Sequence, residues 1–196
     1  MFITFDGADG TGKSTLARAL VARLNTQPGE DRVVYTCEPT HMELGRHIRE
    51  VLQGKYPEEQ DRLTEYFVED RRLHNLEIAE QLQAGQTVVC DRYRYSTVVY
   101  QHLQGERIER LIELNRDFMA PDYAFILTAQ SVDVLLERIG IRNEAKELFE
   151  TAETLKKALE LYDHMKDYFP EDNIILLDAA LPTEENVERI LKLIGA

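Results

Sequence analysis

The stretch from Phe2 to Leu24 leaves this chain few folds to choose from. An apolar run, Phe2-Ile3-Thr4-Phe5, leads through Asp6 into Gly7-Ala8-Asp9-Gly10-Thr11-Gly12-Lys13-Ser14. Thr15 then opens the helical run Leu16-Ala17-Arg18-Ala19-Leu20-Val21-Ala22-Arg23-Leu24. A strand, a glycine loop and a helix in that order make a phosphate-binding loop, or P-loop. The glycines let successive backbone N–H groups turn inward into a concave anion site. The start of the helix adds partial positive charge. In such a loop Lys13 reaches the β- and γ-phosphates of a nucleoside triphosphate, and the Ser14 hydroxyl ligates Mg²⁺. A loop that merely turns a strand into a helix is the weaker reading.

The rest of the chain fits an α/β fold around that loop. Short apolar runs predict five strands, at 2–6, 32–37, 86–90, 122–128 and 173–178. Val33-Val34-Tyr35, Val88-Val89-Cys90 and Ile174-Ile175-Leu176-Leu177 are continuous rather than alternating, as in a parallel sheet covered on both faces. Helical patterns lie between them, punctuated at Pro28-Gly29, Gly85, Ala120-Pro121-Asp122 and Pro170. The expectation is a three-layer fold of the P-loop NTPase type, a five-stranded parallel sheet with helices on both faces. Ligands then sit beyond the carboxyl ends of the strands, at the P-loop, Glu38-Pro39, Asp91-Arg92 and Asp178.

Length and charge narrow the function. At 196 residues one domain is expected, long enough to bury roughly 70% of the unfolded chain's surface. The formal net charge of −13 argues against a nucleic-acid-binding protein. Two cysteines and the absence of a secretory pattern suggest a reducing, cytoplasmic setting. Cys37 and Cys90 each end an apolar run and read as buried small hydrophobes. No apolar stretch is long enough to span a bilayer.

Strand three ends in Asp91-Arg92-Tyr93. Asp91 is placed to hold Mg²⁺, directly or through water, and Arg92 to bind phosphates. The helical run from about Asp61 to Ala84 carries Phe67, Arg71 and His74 on one face. A ring there can stack on a base while Arg71 donates to its carbonyl. From spacing alone, Phe67 in the core and Arg71 on the surface fits equally well. The remaining histidines form no metal-binding constellation. A further helix from about Glu147 to Phe169 has Leu148, Leu155, Leu159 and Tyr162 at core spacing.

With these motifs together, the chain resembles the thymidylate kinase family over nearly its whole length. The resemblance rests on Phe5 to Thr15, Glu38-Pro39, Leu44-Gly45, Ile48-Arg49-Glu50, Phe67 to Arg71 and Asp91-Arg92-Tyr93. Ser96, Tyr100-Gln101, Pro121-Asp122 and Asp178-Ala179 extend it. It implies transfer of the γ-phosphoryl of ATP to dTMP, with Mg²⁺, by a homodimer. It further implies that Gly7 to Thr15 bind ATP, with Arg138 stacked on adenine and the Asp178-Ala179 backbone nearby. On the acceptor side Asp9 would meet the sugar 3′-hydroxyl, and Phe67 would stack on thymine. Arg71 and Gln101 would read the base beside Thr97. Arg49 and Arg92 would hold the phosphate near Glu38 and Pro39, and Tyr100 would exclude a ribose 2′-hydroxyl. Lys13, Asp9, Arg92 and Arg142 form the implied catalytic set.

In this family an arginine comes either from the P-loop or from a mobile lid. Gly10 stands where one type has its arginine, so the charge is expected from a short lid at about 139–147. That segment carries Arg142, with Lys146 in support and Gly140 as hinge. Two departures stand out. Cys37-Glu38-Pro39-Thr40-His41-Met42 replaces an Arg-Glu-Pro-Gly-Gly-Thr segment, and Thr128-Ala129 lacks the aspartate usual after strand four. Another deoxynucleotide acceptor such as dUMP, a deoxynucleoside kinase and a non-catalytic nucleotide binder are the competing readings.

Overall fold

The structure, a computed structural model, describes residues 1–25, 32–141 and 151–196. Five parallel strands lie in the order β2-β3-β1-β4-β5. They are β1 (Phe2–Gly7), β2 (Val33–Cys37), β3 (Thr87–Asp91), β4 (Tyr123–Thr128) and β5 (Ile174–Asp178). Each falls within a residue of its sequence expectation at either end. Parallel neighbours need crossovers, and helices supply them. The principal ones are α1 (Lys13–Leu24), α2 (Glu43–Leu52), α3 (Leu63–Gln83), α4 (Arg94–Leu103), α5 (Ile108–Asn115), α6 (Val132–Ile141), α7 (Ala152–Asp163), α8 (Met165–Tyr168) and α9 (Thr183–Ile194).

Successive side chains of a strand point to opposite faces, and both faces here are apolar. Ile3 and Phe5 of β1, with Phe125 and Leu127 of β4, pack against Leu16 and Leu20 of α1 and Val187 and Ile190 of α9. Ala124 and Ile126 face the other way, onto Tyr95, Val98 and Val99 of α4 and Leu155 and Tyr162 of α7. This two-sided burial is why the strands read as continuous apolar runs rather than alternating ones.

The helix expected from about Glu147 to Phe169 is divided: α7 ends at Asp163, His164 follows, and α8 begins at Met165. Leu155, Leu159 and Tyr162 enter the core as expected, while Leu148 lies outside the described residues. Pro57-Glu58-Glu59-Gln60-Asp61 does begin a helix, as a 3₁₀ segment (Pro57–Arg62) leading into α3. Of the expected lid, residues 139–141 complete α6. Arg142 and Lys146 lie outside the described residues.

Candidate active site

The carboxyl ends of β1, β2 and β3 converge on one cleft, and the groups there are arranged by long-range contacts. Asp6, the last side chain of β1 before the P-loop, is fully buried. Its Oδ1 accepts from Tyr93 N at 3.1 Å, Ser96 N at 3.0 Å and Ser96 Oγ at 2.6 Å. A strand residue thus caps the first turn of α4, satisfying N–H groups that the helix cannot satisfy itself. Burial pushes the Asp6 carboxyl above its usual range, against those hydrogen bonds and nearby arginines.

Between β3 and α4 the backbone turns at Arg92, whose φ of 68° is left-handed, an uncommon state for a residue with a side chain. Its guanidinium pairs with Asp9 Oδ1 and lies over the Tyr100 ring at 5.3 Å. Asp9 also takes Lys13 Nζ at 3.0 Å and Tyr100 Oη at 3.0 Å. One carboxylate therefore holds two of the cations expected to meet phosphate, Lys13 and Arg92. Burial would raise the Asp9 carboxyl, but the Arg92 and Lys13 charges prevail and hold it far below its ordinary range. Burial, with Arg92 beside it, lowers the Lys13 ammonium.

Asp91 points to the same place. Its Oδ2 accepts from Tyr35 Oη at 3.0 Å, while Oδ1 is buried with no hydrogen-bond partner. Arg18 stacks on the Tyr35 ring at 3.9 Å. A buried carboxylate oxygen without a donor is a hard ligand of the kind Mg²⁺ takes, so Asp91 fits the metal role expected of it. Among the described residues no cluster of three or more His, Cys, Asp or Glu could hold a metal by itself.

The P-loop divides two cavities. The first, of about 340 Å³, is lined by Asp9, Glu38, Pro39, Arg49, Phe67, Arg71, Arg92, Thr97, Tyr100 and Gln101, with Lys13, Ser14 and Asp91 at the loop end. Every residue expected on the acceptor side lines it. The second, of about 470 Å³, is lined by Gly10, Thr11, Gly12, Thr15, Arg138 and Ala179, with Ala180 to Thr183 beyond. Arg138 Nη1 donates to Ala179 O at 3.2 Å. Gly10 has φ +83°, and a Cβ there would meet the Leu135 carbonyl oxygen at 2.7 Å. The loop has no room for an arginine at that position.

In the acceptor cavity Arg71 is 1% exposed. Its Nε and Nη2 donate to Glu38 Oε2 at 2.9 and 2.6 Å, and Nη2 also reaches Thr97 Oγ1 at 2.8 Å. His74 Nδ1 meets Glu38 Oε1 at 3.0 Å, and its Nε2 meets Thr36 Oγ1 at 2.7 Å. The shared face of Phe67, Arg71 and His74 is real, with Phe67 half-buried against α2. His74 serves as a link between β2 and α3, not as a surface group. Gln101 Oε1 accepts from Thr64 at 3.0 Å, and its buried Nε2 has no partner. Arg49 donates to the carbonyls of Pro39, of Thr40 at 2.7 Å and of Gly45 at 3.2 Å.

The unusual Thr40-His41-Met42 segment is also explained. Buried Asp70 accepts from Thr40 N at 2.8 Å and Thr40 Oγ1 at 2.6 Å. Gly45 lies so close that a Cβ would be 2.1 Å from the Thr40 carbonyl oxygen. After β4, where an aspartate is absent, Thr128 O accepts from Ala179 N at 2.9 Å, tying the donor-side turn to the sheet. One expectation is corrected: Cys90 is buried, but Cys37 is only half-buried and lines the acceptor cavity, because β2 ends at the cleft rather than beneath it. Sequence reasoning missed Asp6 as a cap, Tyr35 and Asn115. Their partners are 44 to 90 residues away, and nothing in the local pattern marks them.

The sequence profile of the family described as Thymidylate kinase matches residues 5–190. The chain is 38% identical over 191 residues to the probable thymidylate kinase of Methanococcus aeolicus, covering 96% of this chain and 92% of that one. It is 35% identical over 196 residues to the thymidylate kinase of Leptospira borgpetersenii, covering 98% and 92%. A solved structure of thymidylate kinase from Candida albicans superposes with a TM-score of 0.81 at 21% identity, over 99% of this chain and 90% of that one. The thymidylate kinase from Ehrlichia chaffeensis gives 0.76 at 24% identity, over 100% and 98%. At those identities the two structures bear on the fold, which is that of P-loop NTPases.

Proposed function

We infer, from the premise that the chain belongs to the thymidylate kinase family, that it transfers the γ-phosphoryl of ATP to dTMP, giving dTDP and ADP. It is an ATP-dependent nucleoside monophosphate kinase. The observation that carries the assignment of its residues is the pair of cavities meeting at the P-loop, one lined by a base-sized set of Phe67, Arg71 and Gln101 and ending at Arg92 and Lys13. The other is bounded by the glycine backbone and Arg138. ATP takes the second and dTMP the first, so the two reacting phosphates meet at Lys13.

Phosphoryl transfer asks mainly for in-line positioning and for positive charge around the transferring group. The acceptor is itself a phosphate, so no strong general base is needed. Lys13 and Arg92 exchange Asp9 for phosphate oxygens as the substrates enter, and Arg49 supports the acceptor phosphate. Phe67 stacks on thymine, while Arg71 and the Gln101 amide nitrogen, which has no partner among the described residues, meet its polar edge. The Tyr100 ring, held over Asp9 and Arg92, fills the space a ribose 2′-hydroxyl would need. Ser14 and Asp91 would hold Mg²⁺, which neutralises phosphate charge when bound. Because Gly10 admits no side chain, the remaining charge falls to Arg142. Arg142→Ala is expected to lower kcat by ~10³ with little change in ATP affinity, on the scale of arginine-finger effects. A loss under tenfold removes it from the mechanism. A cytoplasmic homodimer completes the reading, as the family resemblance implies.

The test is coupled ADP release from ATP and Mg²⁺ with dTMP, dUMP, dCMP, dGMP and thymidine as separate acceptors. A dominant rate with dTMP is expected. Turnover with thymidine alone, or with none of the five, overturns the assignment.

A further inference from the structure

The acceptor site contains an arginine whose donors are almost all taken before any substrate arrives. A guanidinium has five N–H groups. In Arg71 the Nε–H and one Nη2–H go to Glu38, the second Nη2–H to Thr97, and one Nη1–H to Asn115 Oδ1 at 2.5 Å. Four of five are committed, which leaves a single Nη1–H on a residue that lines the acceptor cavity. Asn115 is what selects that hydrogen, because it is the one partner of Nη1 among the described residues.

Asn115 is built for the task. It is the last residue of α5, fully buried. Its Nδ2 donates to Leu111 O at 2.7 Å. A carbonyl can only accept, so this contact fixes the amide with Oδ1 toward the guanidinium. On the opposite side the ion pair with Glu38 is itself held by His74 at 3.0 Å. The Arg71 guanidinium also lies over the rings of Tyr93 and Phe118, its Cζ at 5.3 and 5.7 Å from their centroids. Rotation about the last torsion would cost several contacts at once.

We propose that Asn115 is a positioning residue for the acceptor base, orienting the Arg71 guanidinium so that one N–H faces a carbonyl of the bound pyrimidine. This rests on the function proposed above and extends it to the source of base selectivity. A single fixed donor accepts thymine, whose O4 is an acceptor, and opposes cytosine, which presents an amino group there. A site built to make one hydrogen bond rejects an analogue that cannot complete it more strongly than shape alone would.

The experiment is steady-state kinetics of the full chain and of Asn115→Leu, Asn115→Asp and Asn115→Ser, with dTMP and dCMP as acceptors. For Asn115→Leu the KM for dTMP is expected to rise about tenfold, the scale of one lost hydrogen bond to a charged group. The kcat and the KM for ATP should stay within twofold, and the preference for dTMP over dCMP should narrow about tenfold. Asn115→Asp keeps an oxygen acceptor for Nη1 but loses the donation to Leu111 O, so it should restore part of the preference. If Asn115→Leu, the bulkier side chain, does not fold in this buried position, the smaller Asn115→Ser should show the same split. An unchanged KM for dTMP, a matched rise in the ATP KM, or an unchanged preference overturns the proposal. A wild type without dTMP-dependent ADP release instead defeats the underlying function, a result distinct from an active enzyme whose variants behave alike.

Discussion

Tyr35→Phe tests the least conspicuous part of the site. Tyr35 sits on β2 and spends its hydroxyl on one contact, the 3.0 Å donation to Asp91 Oδ2. Burial and the neighbouring carboxylate push its phenol well above the usual range, so it stays a donor throughout the neutral range. The substitution keeps the ring, and with it the stacking surface for Arg18 at 3.9 Å. What it removes is the one side-chain hydrogen bond of Asp91 among the described residues, whose Oδ1 already has none. A hydrogen bond to a charged group contributes about 1.5–3 kcal/mol. Leaving the carboxylate buried without a donor places the loss near the middle, about 2 kcal/mol. For a chain of this size each kcal/mol moves Tm by about 2–4 °C. The ligand-free variant should therefore melt about 4–8 °C lower, read by circular dichroism or calorimetry. A fall below about 1 °C would refute the reasoning, since Asp91 would then be drawing its stabilisation from elsewhere.

Gly45→Ala should lower Tm and raise the KM for dTMP, because the new methyl would lie 2.1 Å from Thr40 O, the same carbonyl that holds Arg49. Overpacking typically costs about 1–3 kcal/mol, so the clash should exceed the roughly 1 kcal/mol that alanine gains over glycine in a helix; a variant as stable as wild type would contradict this. Asp6→Asn should raise stability at alkaline pH. Burial sets the folded-state pKa of Asp6 above its unfolded value, so the fold favours the protonated acid and loses stability as pH rises from the unfolded value to the folded one. The amide keeps the Oδ1 acceptor without that charge, so the Tm advantage should be present at pH 8 and shrink toward pH 4. An advantage independent of pH would exclude Asp6 as its source.

The P-loop, the five strands and the cleft-facing ends of β1, β2 and β3 were legible because each leaves a local trace. Continuous apolar runs mark two-sided burial, and glycines mark backbone that approaches other backbone. Arg92 and Asp91 could be found because they follow a buried strand, where ligands gather in such sheets. The supporting contacts left no such trace. Asn115 looks like the polar end of an ordinary helix, and Tyr35 like one more ring in an apolar strand. Asp6 is 90 residues from the Ser96 N–H it caps. Pairings at that distance are created by the sheet order, which places β3 beside β1 and β2. Thr40 reads as a misfit in sequence until Asp70, on the facing helix, is seen to hold it.

The two cavities have no lining residue in common among those described, and this bears on the order of events during turnover. With ATP in the second cavity and dTMP in the first, as proposed above, the nucleosides enter from separate sides and share only the Lys13 end of the cleft, so either substrate is expected to be able to arrive first. Initial velocities should follow a random sequential pattern, and each product should compete with its own parent. The same separation means that a single molecule joining two nucleosides through a chain of phosphates would have to lie across the glycine loop, with the length of that chain deciding whether both ends can seat together.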